Sequence, residues 1–282
     1  MKDVILIDKP AGWTSFDVVA RIRSLLRNTD NRYQQIANRP VIPVKTGIQF
    51  NEPERSELPS TQKPKKIKVG HAGTLDPFAT GLLIILVGDA CKDASSYLKL
   101  DKTYEFTAKL GEVSSTGDPE GEILEYGIWN MENGGSDDSV IPDLIGNPVE
   151  SPEQRELSSL QKSLINNPTP EEVQQALRQF TGEITQTPPA YSAIKINGKR
   201  AYKLAREGKS FEIPSRKVTI SRLQLVSYEY PYLKCICDVS SGTYIRSLVE
   251  DIGKTLKTGA YCTELRRTRI GNHQIEDAQI LT

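Results

Sequence analysis

Histidine and cysteine are scarce in this chain, with two of the first and four of the second in 282 residues. His71 and His273 stand far apart, and Cys91, Cys235, Cys237 and Cys262 form no Cys-x-x-Cys pair, so the usual zinc spacings are missing. The His-x-Glu and Pro-Cys-x-x-Cys pattern of zinc-dependent nucleobase deamination is missing with them. Four cysteines in so long a chain do not make a disulfide scaffold, and Cys235 and Cys237 alternate along an apolar run as small core residues would. Gly253-Lys254-Thr255 imitates the end of a phosphate-binding loop, but Leu248 occupies the place of its first glycine. The chain is therefore expected to work with no metal and no nucleotide cofactor.

Long hydrophobic runs are also missing. No apolar stretch approaches the roughly 18 residues that a membrane-spanning helix needs. The opening Met-Lys-Asp-Val-Ile-Leu-Ile-Asp-Lys-Pro is acidic by its third residue and reads as a strand, not a leader peptide. A cytoplasmic protein with no membrane partner is expected. Hydrophobic residues make up 37% of the chain, enough for a core but lean enough that some segment contributes little to it. Net charge favours neither sign, with 36 Lys and Arg against 36 Asp and Glu. That balance hides a division. Residues 125–167 hold eight acids and two bases, whereas residues 190–270 hold sixteen bases and seven acids. A basic C-terminal half is the electrostatic footprint of a polyanion binder.

Two stretches stand apart from the rest. Residues 31–64 are polar and proline-rich, and residues 127–163 carry Asn133-Gly134-Gly135-Ser136-Asp137-Asp138. They are related to each other. Val41-Ile42-Pro43 repeats as Val140-Ile141-Pro142, Pro53-Glu54 as Pro152-Glu153, and Glu57-Leu58 as Glu156-Leu157, with eleven identities in twenty-three ungapped positions. Two copies are too few for a solenoid. They read as related, peripheral and dispensable loop insertions, at about 31–64 and 127–163, in a single domain spanning 1–282.

Elsewhere helices and strands mingle without a regular βαβ beat. Val4–Ile7 is a short buried strand, and Thr14-Ser-Phe-Asp17 is a capping box opening a helix whose Val18, Val19, Ile22, Leu25 and Leu26 share a face. Gly81–Val87 and Tyr104–Leu110 read as strands. Thr169-Pro170-Glu171-Glu172 caps a helix with Val173, Ala176, Leu177 and Phe180 inward, ended by Gly182. Asn197-Gly198 is a tight turn. Val218–Tyr228 and Leu233–Val239 read as antiparallel neighbours, followed by a helix over Ile245–Leu256. The pattern predicts an α+β fold.

The densest special segment is Lys68-Val-Gly-His71-Ala-Gly-Thr-Leu-Asp76-Pro-Phe-Ala-Thr-Gly81, which runs straight into a strand. Gly70, Gly73 and Gly81 permit tight turns, and Pro77 keeps Asp76 out of helical geometry. On spacing alone Asp76 reads as a turn-former and His71 as a hydrogen-bonded structural residue.

A resemblance reverses both readings. Gly70-His-Ala-Gly-Thr-Leu-Asp76-Pro-Phe-Ala-Thr-Gly-Leu82 resembles the catalytic motif of the TruB-type tRNA pseudouridine synthases, which convert the T-loop uridine at tRNA position 55 to pseudouridine. Five further segments, in order, are similar to that family's motifs. They are Asp8-Lys9-Pro10-Ala-Gly12-Trp-Thr14-Ser15, Asp101-Lys102-Thr103-Tyr104, Leu110-Gly111 to Asp118-Pro-Glu-Gly121, Gln186-Thr-Pro188 to Arg206-Glu-Gly208, and Ser241-Gly-Thr-Tyr244-Ile-Arg246 with Leu265-Arg266-Arg267-Thr268. The likeness implies a mixed, mainly antiparallel central sheet flanked by helices. It makes Asp76 the catalytic carboxylate, Arg246 the arginine that pairs with it, and Tyr104 the tyrosine that stacks on the target base and serves in proton transfer at C5. His71, Tyr244, Leu265 and Lys9 become substrate-binding positions: His71 near the displaced base, Tyr244 and Leu265 in the pocket wall, and Lys9 with Pro10 buttressing the loop. Without the resemblance, Arg246 reads as a solvent-facing charge at a helix start and Tyr104 as an aromatic packed in a strand.

The implied partner is the T-loop region of tRNA, met by a chain acting as a monomer with no obligate protein partner. Lys195, Lys199, Arg200, Lys203, Arg206 and Lys209 are candidates for phosphate contact. A short form is expected, without the C-terminal RNA-binding domain of longer bacterial members, since Thr282 follows soon after the arginine motif. Two other readings compete: an isomerase acting on a different structured RNA, and a non-catalytic RNA-binding or folding protein. The joint presence of Asp76, Tyr104 and Arg246 counts against the last, because binding alone does not need that trio.

Overall fold

The computed structural model describes residues 2–27, 67–127 and 167–281. The two insertions read from the sequence, Gly127 apart, lie outside the described residues. In chain order the first elements are β1 (Lys2–Lys9), α1 (Ser15–Arg27), β2 (Val69–His71), β3 (Thr80–Gly88), α2 (Ala94–Leu98) and β4 (Lys102–Leu110). There follow β5 (Glu112–Ser114), β6 (Ile123–Glu125), α3 (Pro170–Gln179), β7 (Gly182–Gln186), β8 (Lys195–Ile196), β9 (Lys199–Arg200) and α4 (Ala201–Arg206). The chain closes with β10 (Arg216–Glu229), β11 (Tyr232–Val239), α5 (Ile245–Thr255), β12 (Ala260–Ile270), β13 (His273–Gln274) and β14 (Gln279–Ile280). Contacts divide them into two compact units, Met1–Thr103 with Arg266–Thr282, and Tyr104–Leu265. The fold is α+β, with a mixed, mostly antiparallel sheet. No helix among the described residues is long and apolar enough to cross a membrane.

In the first unit the strand order is β14-β1-β3-β12, with β2 also paired to β3. β1 and β3 run antiparallel from Lys2 opposite Gly88 to Lys9 opposite Gly81. β3 meets β12 in parallel, with Arg266 opposite Thr80 and Arg267 opposite Gly81. Residues 81–87 of β3 are all buried, so the strand reads as an unbroken apolar run. One face of β3 presents Leu83, Ile85 and Val87 to Ile5 and Ile7 of β1 and to Val18, Val19, Ile22 and Leu26 of α1. The other presents Leu82, Ile84 and Leu86 to Ala72, Ala90 and Ile270. The expected capping box starts α1: Asp17 N–H donates to Thr14 Oγ1 at 3.1 Å, and Thr14 N–H to Asp17 Oδ2 at 2.8 Å. Leu25, read as inward, is only partly buried.

The second unit has the order β12-β4-β11-β10-β7. β10 and β11 pair antiparallel, as read from the sequence, and Cys235 and Cys237 are fully buried in β11. Burial pushes the Cys235 thiol up to about 12, so it behaves as an apolar side chain. Thr169 and Glu172 form a complete capping box on α3, whose Val173, Ala176 and Leu177 are buried, while Phe180 ends the helix partly exposed. Asn197 and Gly198, at φ of 49° and 82°, join β8 to β9 as the two-residue turn their sequence demands.

Gly81 sits where two constraints meet. Its φ is +106°, and a Cβ there would run into the backbone of Arg267 on the neighbouring strand. Gly81→Ala is expected to cost about 2–4 kcal/mol. Urea unfolding measures this, and an unchanged midpoint would contradict the assigned packing.

Candidate active site

Between β2 and β3 the chain leaves regular structure for residues 72–79, and irregular backbone inside a fold must find hydrogen-bond partners elsewhere. Side chains from both ends of the sequence supply them. Arg267, 1% exposed on β12, donates from Nε to Leu82 O at 2.7 Å, from one terminal nitrogen to Thr74 O at 3.3 Å, and from the other to Gly73 O at 3.2 Å. Ser15 at the start of α1 exchanges two bonds with Leu75: its Oγ donates to Leu75 O at 3.0 Å and accepts from Leu75 N–H at 2.8 Å. Lys9 is wholly buried, and its ammonium donates to Pro10 O at 2.8 Å, Trp13 O at 2.6 Å and Pro77 O at 3.1 Å. Gly12 N–H adds a bond to Pro77 O at 2.8 Å. The loop is thus held at 73–74, 75 and 77, on either side of Asp76.

Asp76 itself is partly exposed between buried Leu75 and buried Ala79. Its carbonyl accepts from Ala79 N–H at 3.2 Å. His71 stands at the end of β2 opposite Ile85 of β3. Of the three glycines expected to turn this segment, Gly73 and Gly81 take positive φ, whereas Gly70 lies within β2 and does not. Lys9, read as a substrate-binding position that buttresses the loop, directs its ammonium to the carbonyls of Pro10, Trp13 and Pro77.

Lys102, 6% exposed, lies near Arg267 and donates to Leu98 O at 2.7 Å and to Leu100 O. Burial, with a smaller push from Arg267, pulls its amine down to about 8. Arg266, beside Arg267, faces the other way and grips Asp8 with both terminal nitrogens, at 3.2 and 2.7 Å from the two carboxylate oxygens.

The second unit builds its own cluster at the start of α5. Arg246 is 3% exposed, which overturns the solvent-facing reading that its position alone suggests. Its terminal nitrogens donate to Thr116 O at 2.7 Å and Tyr191 O at 2.9 Å, and it lies 3.1 Å from Asp118 Oδ2. Asp118 is held in turn: its Oδ1 accepts from Thr116 Oγ1 at 2.6 Å and from Glu120 N–H at 3.0 Å. A buried ion pair with its remaining lone pairs engaged has a fixed direction. Tyr244, two residues earlier, is clamped through its backbone by Gln186, whose Nε2 donates to Tyr244 O at 3.0 Å and whose Oε1 accepts from Tyr244 N–H at 2.8 Å. Tyr104 on β4 and Leu265 on β12 are 8% and 7% exposed.

Of the seven site residues read from the sequence, Lys9, His71 and Asp76 belong to the first unit, and Tyr104, Tyr244, Arg246 and Leu265 to the second. Sequence reasoning quoted Ser15, Asp118 and Arg267 within motifs but gave them no part. A signal for Arg267 existed: it lies two residues after Leu265 on one strand and therefore shares its inward face.

A family model described as TruB family pseudouridylate synthase (N terminal domain) matches residues 61–155 and 145–245. This chain belongs to the TruB family. A second model, described as the tRNA pseudouridylate synthase B C-terminal domain, matches residues 246–282, which here supply α5, β12 and the tail. The TruB relatives include proteins named tRNA pseudouridine synthase B. One from Parabacteroides distasonis is 35% identical over 269 residues, 95% of this chain and 86% of the relative. One from Ectopseudomonas mendocina is 35% identical over 272 residues, 96% of this chain and 64% of the relative. Among solved structures, a chain of a Cbf5-Nop10-Gar1 complex shares the fold with a TM-score of 0.55 at 23% identity, over 99% of this chain and 52% of that one. A chain of an H/ACA RNP bound to a substrate RNA containing 2'-deoxyuridine gives 0.52 at 21%, over 96% and 48%. The present chain thus spans about half the length of those solved chains.

Glu250 on α5 is the remaining titratable group of this cluster. Its carboxyl packs against the α-carbon of Gly117, between Thr116 and Asp118, two of the three residues that hold Arg246. Burial raises its pKa from 4.5 to about 7, with Lys254 and Arg246 opposing and Asp251 and Asp118 adding to the rise. The folded state therefore binds more protons than the unfolded chain between those values, and stability falls as pH rises from about 4.5 to about 7. Glu250→Gln is expected to melt with wild type near pH 4.5 and several degrees above it at pH 8. A melting difference that does not change with pH would refute the assignment.

Proposed function

We propose that this chain converts uridine to pseudouridine in tRNA, at the T-loop uridine of position 55, with Asp76 as the catalytic carboxylate. The observation that carries the reading is the loop of residues 72–79: five side-chain bonds from Arg267, Ser15 and Lys9 hold its backbone and leave Asp76 partly exposed. Family membership and the relatives' name, tRNA pseudouridine synthase B, support the substrate.

The reaction breaks the C1′–N1 glycosidic bond, turns the base and joins C1′ to C5. N1 regains a proton and the hydrogen at C5 leaves to solvent, so atoms balance with neither oxidation nor hydrolysis. Asp76 acts as a nucleophile at sugar or base, or as the base that removes a sugar proton; either route needs the ionised form. By the family likeness Arg246, its direction fixed by Asp118, takes the part of the arginine that pairs with the catalytic aspartate. Tyr104 stacks on the target base and takes part in proton transfer at C5. His71 occupies the neighbourhood the flipped base leaves, and Tyr244 and Leu265 wall the pocket. A stacked uridine hides C1′ and C5, so the nucleotide is extruded, and aromatic contact repays the lost stacking.

The segment from β8 to the turn after α4 supports an RNA partner. Lys195, Lys199, Arg200, Lys203, Arg206 and Lys209 are all exposed there, and Arg206 lies over the Tyr202 ring at 5.8 Å. Cations so arranged suit a phosphate backbone. Lys209 also pairs with Glu207 at 2.6 Å, so it is the least available of the six. A cytoplasmic location accords with a tRNA substrate in this reading.

Tritium release from a T-loop RNA labelled at uridine C5 tests the proposal, since isomerisation expels that hydrogen and binding does not. Wild type should release it, Asp76→Asn should release it at least about 10³-fold more slowly while still binding, and RNA with a substituted target should release none. A folded wild type that releases nothing from this RNA would overturn the T-loop assignment.

A further inference from the structure

We infer that Arg216 is a positioning residue for this reaction, acting by locking the ring of Tyr244 in the pocket wall. The inference rests on the function proposed above. Tyr244 caps the N-terminus of α5 with φ of −104° and ψ of 115°, and its side chain makes no capping bond. Gln186 fixes its backbone with two bonds, but an amide clamp on the main chain leaves the ring free to turn about its own side-chain torsions. The Arg216 guanidinium supplies the missing restraint: its carbon lies 4.9 Å from the centre of the Tyr244 ring. At that distance a cation is attracted to the face of an aromatic ring.

The placement is built into the sheet. Arg216 opens β10 directly opposite Gln186 of β7, so one cross-strand pair holds both the backbone and the ring of Tyr244. The guanidinium is tethered by a bond from a terminal nitrogen to Gly242 O. Gly242, at φ +88°, leaves the room it needs, since a Cβ there would stand 3.3–3.5 Å from the guanidinium atoms. Arg216 Nε is buried and has no hydrogen-bond partner among the described residues, so that edge of the plane is not spent on another contact. A lysine would keep the charge but lose the plane and the fork.

The rival role for this arginine is a phosphate contact, and the two separate cleanly. Single-turnover tritium release and RNA binding would be measured for Arg216→Lys, Arg216→Ala, Tyr244→Ala and the Arg216→Ala/Tyr244→Ala double variant, with Tyr-labelled protein giving the Tyr244 ring resonances without RNA. Both Arg216 variants should lose roughly 5–30-fold in single-turnover rate with binding changed by less than about 2-fold, and Arg216→Ala should cost less than about 2-fold more in the Tyr244→Ala background. The ring resonances should shift in Arg216→Lys. Weakened binding with a shallower salt dependence and an intact rate would make Arg216 a phosphate contact and overturn the inference. So would additive losses in the double variant or unmoved ring resonances. A wild type without turnover would instead remove the functional reading on which this role depends, whatever the resonances show.

Discussion

The burial of one arginine organises the first unit. Arg267 takes a permanent positive charge into a site that is 1% exposed, and it is tolerated because three backbone carbonyls at residues 73, 74 and 82 receive its donors. The carbonyls of Gly73 and Thr74 belong to irregular backbone that has no ladder to satisfy it, so each side solves the other's problem. The same position forces glycine at 81, where Arg267's own backbone passes too close for a side chain. Lys9 and Ser15 repeat the device from the other end of the chain, again giving side-chain donors to loop carbonyls. A carboxylate carried on such a loop keeps its direction because its neighbours cannot move independently.

The second unit uses the same principle with different parts. Arg246 is oriented by Asp118 and two carbonyls, Asp118 by Thr116 and the Glu120 amide, and Tyr244 by Gln186. In the function proposed above, groups set before substrate arrives need no reorganisation during the reaction. Glu250, packed on Gly117 beneath this arrangement, is costly to ionise there, so the cluster gives up some stability near neutral pH. Strain of that kind at a site, offset elsewhere in the fold, is usual in catalysts.

Much of this was legible in the residues. β3 announces itself as an apolar run because it is covered on both faces, and α1 and α3 because their capping boxes and apolar faces are local patterns. The Asn197-Gly198 turn follows from backbone conformations that few other residues accept. Asp76, Tyr104 and Arg246 were reached only through likeness to a family, since each alone has a plainer reading. Nothing local marks Arg246 as buried: an arginine at a helix start is ordinarily solvated, and its burial is made tolerable by the turn at 116–118 and the carbonyl of Tyr191, all more than fifty residues away in sequence.

The sequence by itself therefore determined the elements, the α+β class and the family, because these depend on neighbours within a few residues or on motifs in order. Tertiary structure alone decided which backbone groups the motifs at the two ends of the chain hold. Asp8 to Ser15 and Leu265 to Thr268 name no chemistry on their own. Lys9, Ser15 and Arg267 acquire their function only when folding brings them to the carbonyls of residues 73–77, across separations of 60 to 194 positions. Hydrogen bonds are short and directional, so which donor meets which carbonyl is fixed by strand register and packing, which no local pattern encodes.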